Sequence, residues 1–143
     1  MQKWIAAVMM ALTGAILFAA FVLQDIKIHP EMAWRDLPWG LILRYAVAMT
    51  QGGALSGLVF SGLFGRSGIL GWLLAILGGV IGASIAGLFG SAFGLIPDLA
   101  ADGLSTTELL RIAAGILVLP LSAIEQPFLI LVVAALVFAT HVF

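Results

Sequence analysis

Between Gly68 and Ile96 the chain runs for 29 residues without a charge (GILGWLLAILGGVIGASIAGLFGSAFGLI). Small residues recur at every fourth place, at Gly78, Gly82, Ala86, Gly90 and Gly94. Residues four apart share one face of an α-helix, so this run predicts a helix with one face of nearly bare backbone. That face admits another helix at close range. Lipid provides no hydrophobic drive between helices, and small-xxx-small faces supply van der Waals contact instead.

The composition agrees. Of 143 residues, 63% are hydrophobic and 9% charged, against about 25% charged in soluble domains. Too few polar groups exist to cover a soluble surface. The expected fold class is an all-α integral membrane protein. A single transmembrane domain, residues 1–143, would hold a bundle of 4–5 transmembrane helices with glycine-zipper packing of the central hairpin. The net charge of -1 offers no basic surface for nucleic acid. The chain has no cysteine, which excludes disulfides and thiolate metal sites.

The first span is expected at residues 3–23. Its uncharged run, Trp4 to Leu23, is longer than the h-region of a signal peptide, and no A-x-A site follows it, so it reads as a retained span. Ala7, Ala11, Ala15 and Ala19 give it a small face, and Thr13 is expected to bond back to its own helix. A polar connection then runs from Gln24 to Trp39, with Trp34 and Trp39 suited to the headgroup level. Pro30 is placed to open a short surface helix over 31–36, and Pro38 to mark entry to the next span.

The second span, residues 40–65, repeats small residues at Gly53, Gly57, Ser61 and Gly65. A tight turn, Gly65-Arg66-Ser67-Gly68, leads into the third span at 68–96, so the two spans form an antiparallel hairpin whose small faces are expected to meet. Pro97 and Asp98 are expected to end it, and Ser105 with Glu108 has the capping-box spacing. Beyond, Pro120 and Pro127 interrupt an apolar run too long for one crossing. Two short spans, 106–121 and 126–142, joined by a turn at 122–127, keep Glu125 near water; one kinked span after an interfacial helix is the alternative. The bare count of bases slightly favours an N-terminus outside, with Lys27, Arg35, Arg44 and Arg111 opposite Lys3 and Arg66; because Arg66 is unopposed while Lys27 and Arg35 sit among carboxylates, the expectation is an N-terminus inside. The compact multi-span form without organelle targeting points to a bacterial plasma (inner) membrane.

Three polar groups stand in apolar surroundings. Arg44 and Gln51 lie seven residues apart on one face of the second span, and Glu125 interrupts the last third. Together they are candidates for a transport path; separately, the arginine snorkels, the glutamine bonds a neighbouring helix and the glutamate sits in a turn. His141 is either a metal-macrocycle ligand or an interfacial residue, and with His29 in a loop there is no bis-histidine pair. No Ser/His/Asp set, HExxH or phosphate loop is present. The expectation is therefore a protein that is not an enzyme, with no cofactor and no metal. It would be a non-catalytic accessory subunit packing against a larger membrane complex or its own copies in the lipid bilayer. A small oligomeric transporter or channel is the alternative, and a pore-forming peptide a weaker third.

Overall fold

The computed structural model describes residues 2–28 and 34–142. The described residues form helices and turns without strands: α1 (Gln2–Ile28), α2 (Trp39–Val59), α3 (Gly68–Gly94), α4 (Ile96–Asp102), α5 (Thr106–Glu125) and α6 (Pro127–Val142). Two helices, Lys3–Lys27 and Gly68–Gly94, are long and apolar enough to cross a membrane, and Pro127–Val142 is apolar but shorter. The segment at 29–33, including His29, Pro30 and Glu31, lies outside the described residues. Trp34–Asp36 is a 3-10 turn, and the rest of the expected surface helix, 31–33, lies outside the described residues. There Trp39 Nε1 donates to the Trp34 carbonyl at 3.1 Å, and the two indoles stack at 6.2 Å. Pro38 stands at the N-cap of α2.

α1, α2 and α3 pack as successive antiparallel neighbours. Their contacts differ from the expected meeting of two glycine faces. Gly53 and Gly57 of α2 turn to α1, where a Cβ would strike the carbonyls of Met10 and Ala6. The α2 glycine that meets α3 is Gly52, one residue away, where a Cβ would stand 3.0 Å from the Cα of Ala86. The stripe of α3 receives larger side chains. Gly82 faces Met10 Sδ and Ser56 Oγ, Gly90 faces Met49, Gly94 faces the Tyr45 ring and Gly78 faces Phe64. Bare backbone here makes sockets for large residues as well as a seam for a second backbone.

On α1 the buried face includes Ala6, Ala7, Met10, Thr13 and Leu17; of the alanine series, Ala7 is buried, Ala7 and Ala11 stand against Gly57 and Gly53 of α2, and Ala19 is exposed. The gaps at Gly53 and Gly57 let α1 sit so close that Met10, 1% exposed, reaches across to α3. Thr13 donates to the Met9 carbonyl at 2.9 Å, satisfying its hydroxyl within its own helix.

α2 stops at Val59, six residues short of the expected end. Ser61–Leu63 forms a 3-10 turn closed by Leu63 N–H to Phe60 O (2.9 Å) and Phe64 N–H to Ser61 O (3.2 Å). Ser61 is buried in that turn, and Gly65 is exposed beyond it, so neither continues a helical face. Tightening the chain here tucks Phe64, 6% exposed, against Gly78. Gly65 and Gly68 then take φ of 73° and 81°, a region costly for residues with a Cβ, and reverse the chain.

α3 ends at Gly94 rather than at Pro97. Pro97 instead lies in the first turn of α4, so most of the expected connection, 97–105, is helical. The capping box forms: Ser105 N–H donates to Glu108 Oε2 at 3.2 Å, and Thr107 N–H donates to Ser105 Oγ at 3.2 Å. α5 crosses α3 where Gly115 meets Gly87 and Ser91, and Leu119 packs beside Leu17.

α5 and α6 are separate helices joined at Gln126, as a turn requires. That joint sits where Gln126 Nε2 donates to Gln24 Oε1 at 2.5 Å, at the end of the bundle where α3 also finishes. A second full crossing would bring it to the Lys3 end. From Gln126, α6 runs antiparallel to α1, with Leu129 beside Leu17 and Phe18, then Val137 beside Met10 and Ala6. A carbonyl-lined crossing leaves no room for a methyl group, whereas a side-chain neighbour can give way. Gly57→Ala is therefore expected to destabilise by about 1–3 kcal/mol and Gly82→Ala by less. Gly40→Ala, with nothing within 4 Å, is expected to be neutral or stabilising by about 0.5–1 kcal/mol. Thermal unfolding of the three variants checks that order.

Candidate functional site

Arg44 and Gln51 come together on the outer surface of α2. With Gly40, Leu43, Val47 and Phe93 of α3 they line a groove of about 350 Å³. Both side chains are exposed, and neither has a hydrogen-bond partner among the described residues. The expected third member is elsewhere: Glu125 closes α5, next to the joint at Gln24, and its side chain lies outside the described residues. The interior is filled by the small-residue contacts above, and its hydroxyls are satisfied locally. Thr50 donates to Ala46 O, Ser56 to Gly53 O and Thr140 to Leu136 O, each at 2.7 Å.

A second four-residue series on α3 carries the other half of the packing. Gly71, Ala75, Gly79, Ala83, Gly87 and Ser91 form a stripe adjacent to the first. A Cβ at Gly79 would meet Val137 of α6, and one at Gly87 would strike the Gly115 carbonyl of α5. Its spacing is as plain in the sequence as that of Gly78 to Gly94. One small face draws attention from the one beside it, and two adjacent faces are what let α3 touch four other helices.

α6 lies against only part of this second stripe. Between α3, the end of α5 and α6 an apolar cleft of about 580 Å³ opens partly to the surface, with walls that include Ile76, Val80, Pro120, Ile124 and Ala134. Pro120 lies inside α5.

His141 sits at the end of α6 and is 8% exposed. Its Nδ1 accepts the Gly65 N–H at 3.3 Å, which fastens the last helix to the α2–α3 turn. With Nδ1 accepting, the neutral ring carries its proton on Nε2. The Trp72 ring lies 4.2 Å from the imidazole, centroid to centroid, and Phe138 stacks on Trp72 at 5.3 Å. The partner is 76 residues away, so no local pattern reveals it. Among the described residues no three His, Cys, Asp or Glu side chains gather as a metal site. Comparison with protein-family models, curated proteins and solved structures found no match.

His141→Ala removes an acceptor from a half-buried backbone N–H and an aromatic contact. It is expected to destabilise the chain by about 1–3 kcal/mol. His141→Asn, which keeps an acceptor, should recover part of the loss in the same unfolding measurement.

Proposed function

We propose that this chain is a small, non-catalytic integral membrane subunit that packs against another membrane protein or its own copies. The observation that carries the reading is Gln51. It is exposed twelve residues into a helix that runs from Trp39 to Val59, about 18 Å along the axis at 1.5 Å per residue. That depth is the middle of the hydrocarbon, where an amide without a hydrogen-bond partner costs several kcal/mol. Glutamine in this position pairs with a polar group on a neighbouring helix. The groove beside it leaves space for that helix.

Lipid residence is supported by the outer surface. Leu43, Val47, Leu73, Ile76, Val80 and Leu131 are all large, apolar and 48–69% exposed, more than a monomer in water keeps uncovered. Four crossings, α1, α2, α3 and α6, fit the packing, with α5 oblique at one end. The reading takes the N-terminus as inside: Lys3 and Arg66 stand at one end without neighbouring acids, whereas Lys27 and Arg35 at the other sit beside Asp25 and Asp36. A bacterial inner membrane is the host this reading takes. The transport reading draws no support from Arg44 and Gln51, which line an outer groove away from α5, where Glu125 resides.

Gln51→Leu should leave the monomer's unfolding unchanged and weaken association, by about 1–2 kcal/mol for one interhelical amide. Mild extraction followed by native mass analysis reads both. Association unchanged by Gln51→Leu would refute the assembly role of this face. Because the chain has no cysteine, orientation can be read cleanly. Ser67→Cys should react with an impermeant maleimide only after the membrane is opened, and a cysteine at Trp34 should react before.

A further inference from the structure

The cleft between α3 and α6 has one polar end. Its walls are otherwise apolar, but Trp72 and Phe138 belong both to the cleft and to the aromatic cluster around His141. His141 is bonded to the turn that carries Arg66. Arg66 is exposed, its Nε donates to the Gly62 carbonyl at 2.8 Å, and its own carbonyl abuts Gly71, next to Trp72. An apolar channel thus reaches an indole that touches the His141 imidazole, which is bonded in turn to the residue preceding Arg66. Lys3 is the other base of this end, and the turn at 65–68 carries no acid.

We infer that the cleft holds an acyl chain of one anionic phospholipid, whose phosphate lies at the Arg66–His141 end. A cleft of about 580 Å³ falls within the roughly 300–1,000 Å³ of sites that enclose small ligands. Its lining offers nothing polar for a soluble metabolite, which excludes one in favour of a hydrocarbon chain. Pro120 and Ile124 of α5 also line the cleft, and the acyl chain would run from Trp72 toward Ile124. Arg66 supplies the charge and fork geometry that suit a phosphate. His141 engages the Gly65 N–H through Nδ1, which leaves Nε2 as the ring nitrogen for a phosphate oxygen. Trp72 has the half-apolar character that belongs at the headgroup boundary. This inference rests on residence in lipid and is independent of the subunit role.

The test reconstitutes the full chain in vesicles of phosphatidylcholine with a minor share of phosphatidylglycerol. Mild detergent extraction and native mass analysis then count retained lipids. One phosphatidylglycerol per chain is expected, preferred over phosphatidylcholine. Arg66→Gln should lower that preference roughly fivefold, the worth of one basic side chain at an anionic surface, while a lipid is still retained. Ala134→Trp and Val80→Trp fill the cleft from opposite walls, and each folded variant should lose the lipid. Inorganic phosphate should not displace it. Wild-type protein that enters vesicles but retains no lipid overturns the proposal. So does retention by the folded tryptophan variants, or displacement by phosphate. Failure to enter vesicles would overturn the membrane reading itself.

Discussion

Everything in this bundle depends on backbones approaching so closely that a single methyl group would be in the way. At Gly53 and Gly57 the obstacle is the main chain of α1, and at Gly87 and Gly115 it is the facing main chain of α3 and α5. Main-chain atoms held in a helix cannot swing aside, so these crossings fix helix positions more firmly than side-chain packing does. Once α1 is drawn onto α2 at that distance, Met10 can reach α3, and Leu17 can share a cluster with Leu119 and Leu129. The larger contacts are consequences of the smaller ones.

The same economy governs the polar groups. A bundle with so few hydrogen-bonding side chains cannot build networks between helices, and the buried hydroxyls turn to carbonyls one turn back on their own helix. Among the described residues, the polar contacts that cross the fold include Gln24 with Gln126, and the Gly65 N–H with His141. They lie at opposite ends of α6 and pin both of its termini. Gln51 differs from all of these in facing outward, which is why the external face of α2 carries the functional reading.

Helical class, the glycine turn at 65–68 and the capping box at Ser105 were legible in the sequence because each depends on local chemistry. A positive φ demands glycine, and a serine three residues before a glutamate closes its own hydrogen bonds. Close packing on α3 was legible too, from its spacing. Which element fills each gap was not. Gly52 and Gly53 are neighbours in sequence yet face different helices, and period counting ranks them alike. The end of α2 at Val59 depends on Phe64 finding Gly78, a tertiary event that Ser61 and Gly65 conceal by continuing the small-residue rhythm. The environment of His141 lies still further from local pattern, since its partner belongs to a turn between two earlier helices. Arg44 and Gln51 were rightly placed on one face; spacing could not say that the face looks outward.

The link between Gln24 and Gln126 spans 102 residues, and this has a consequence for the order of assembly. α2 can settle on α1 and α3 on α2 as each follows its predecessor in the chain, since these are neighbours in sequence and in space. α6 packs on α1, the first helix, and no earlier helix stands in for it at Leu129 and Val137. The flank of α1 that α6 covers therefore stays open until nearly the whole chain has been made. Contacts of such long separation form late and slowly. During synthesis, that flank is the surface a chaperone or insertion factor would have to shield, and a chain stopped before Pro127 would carry it uncovered.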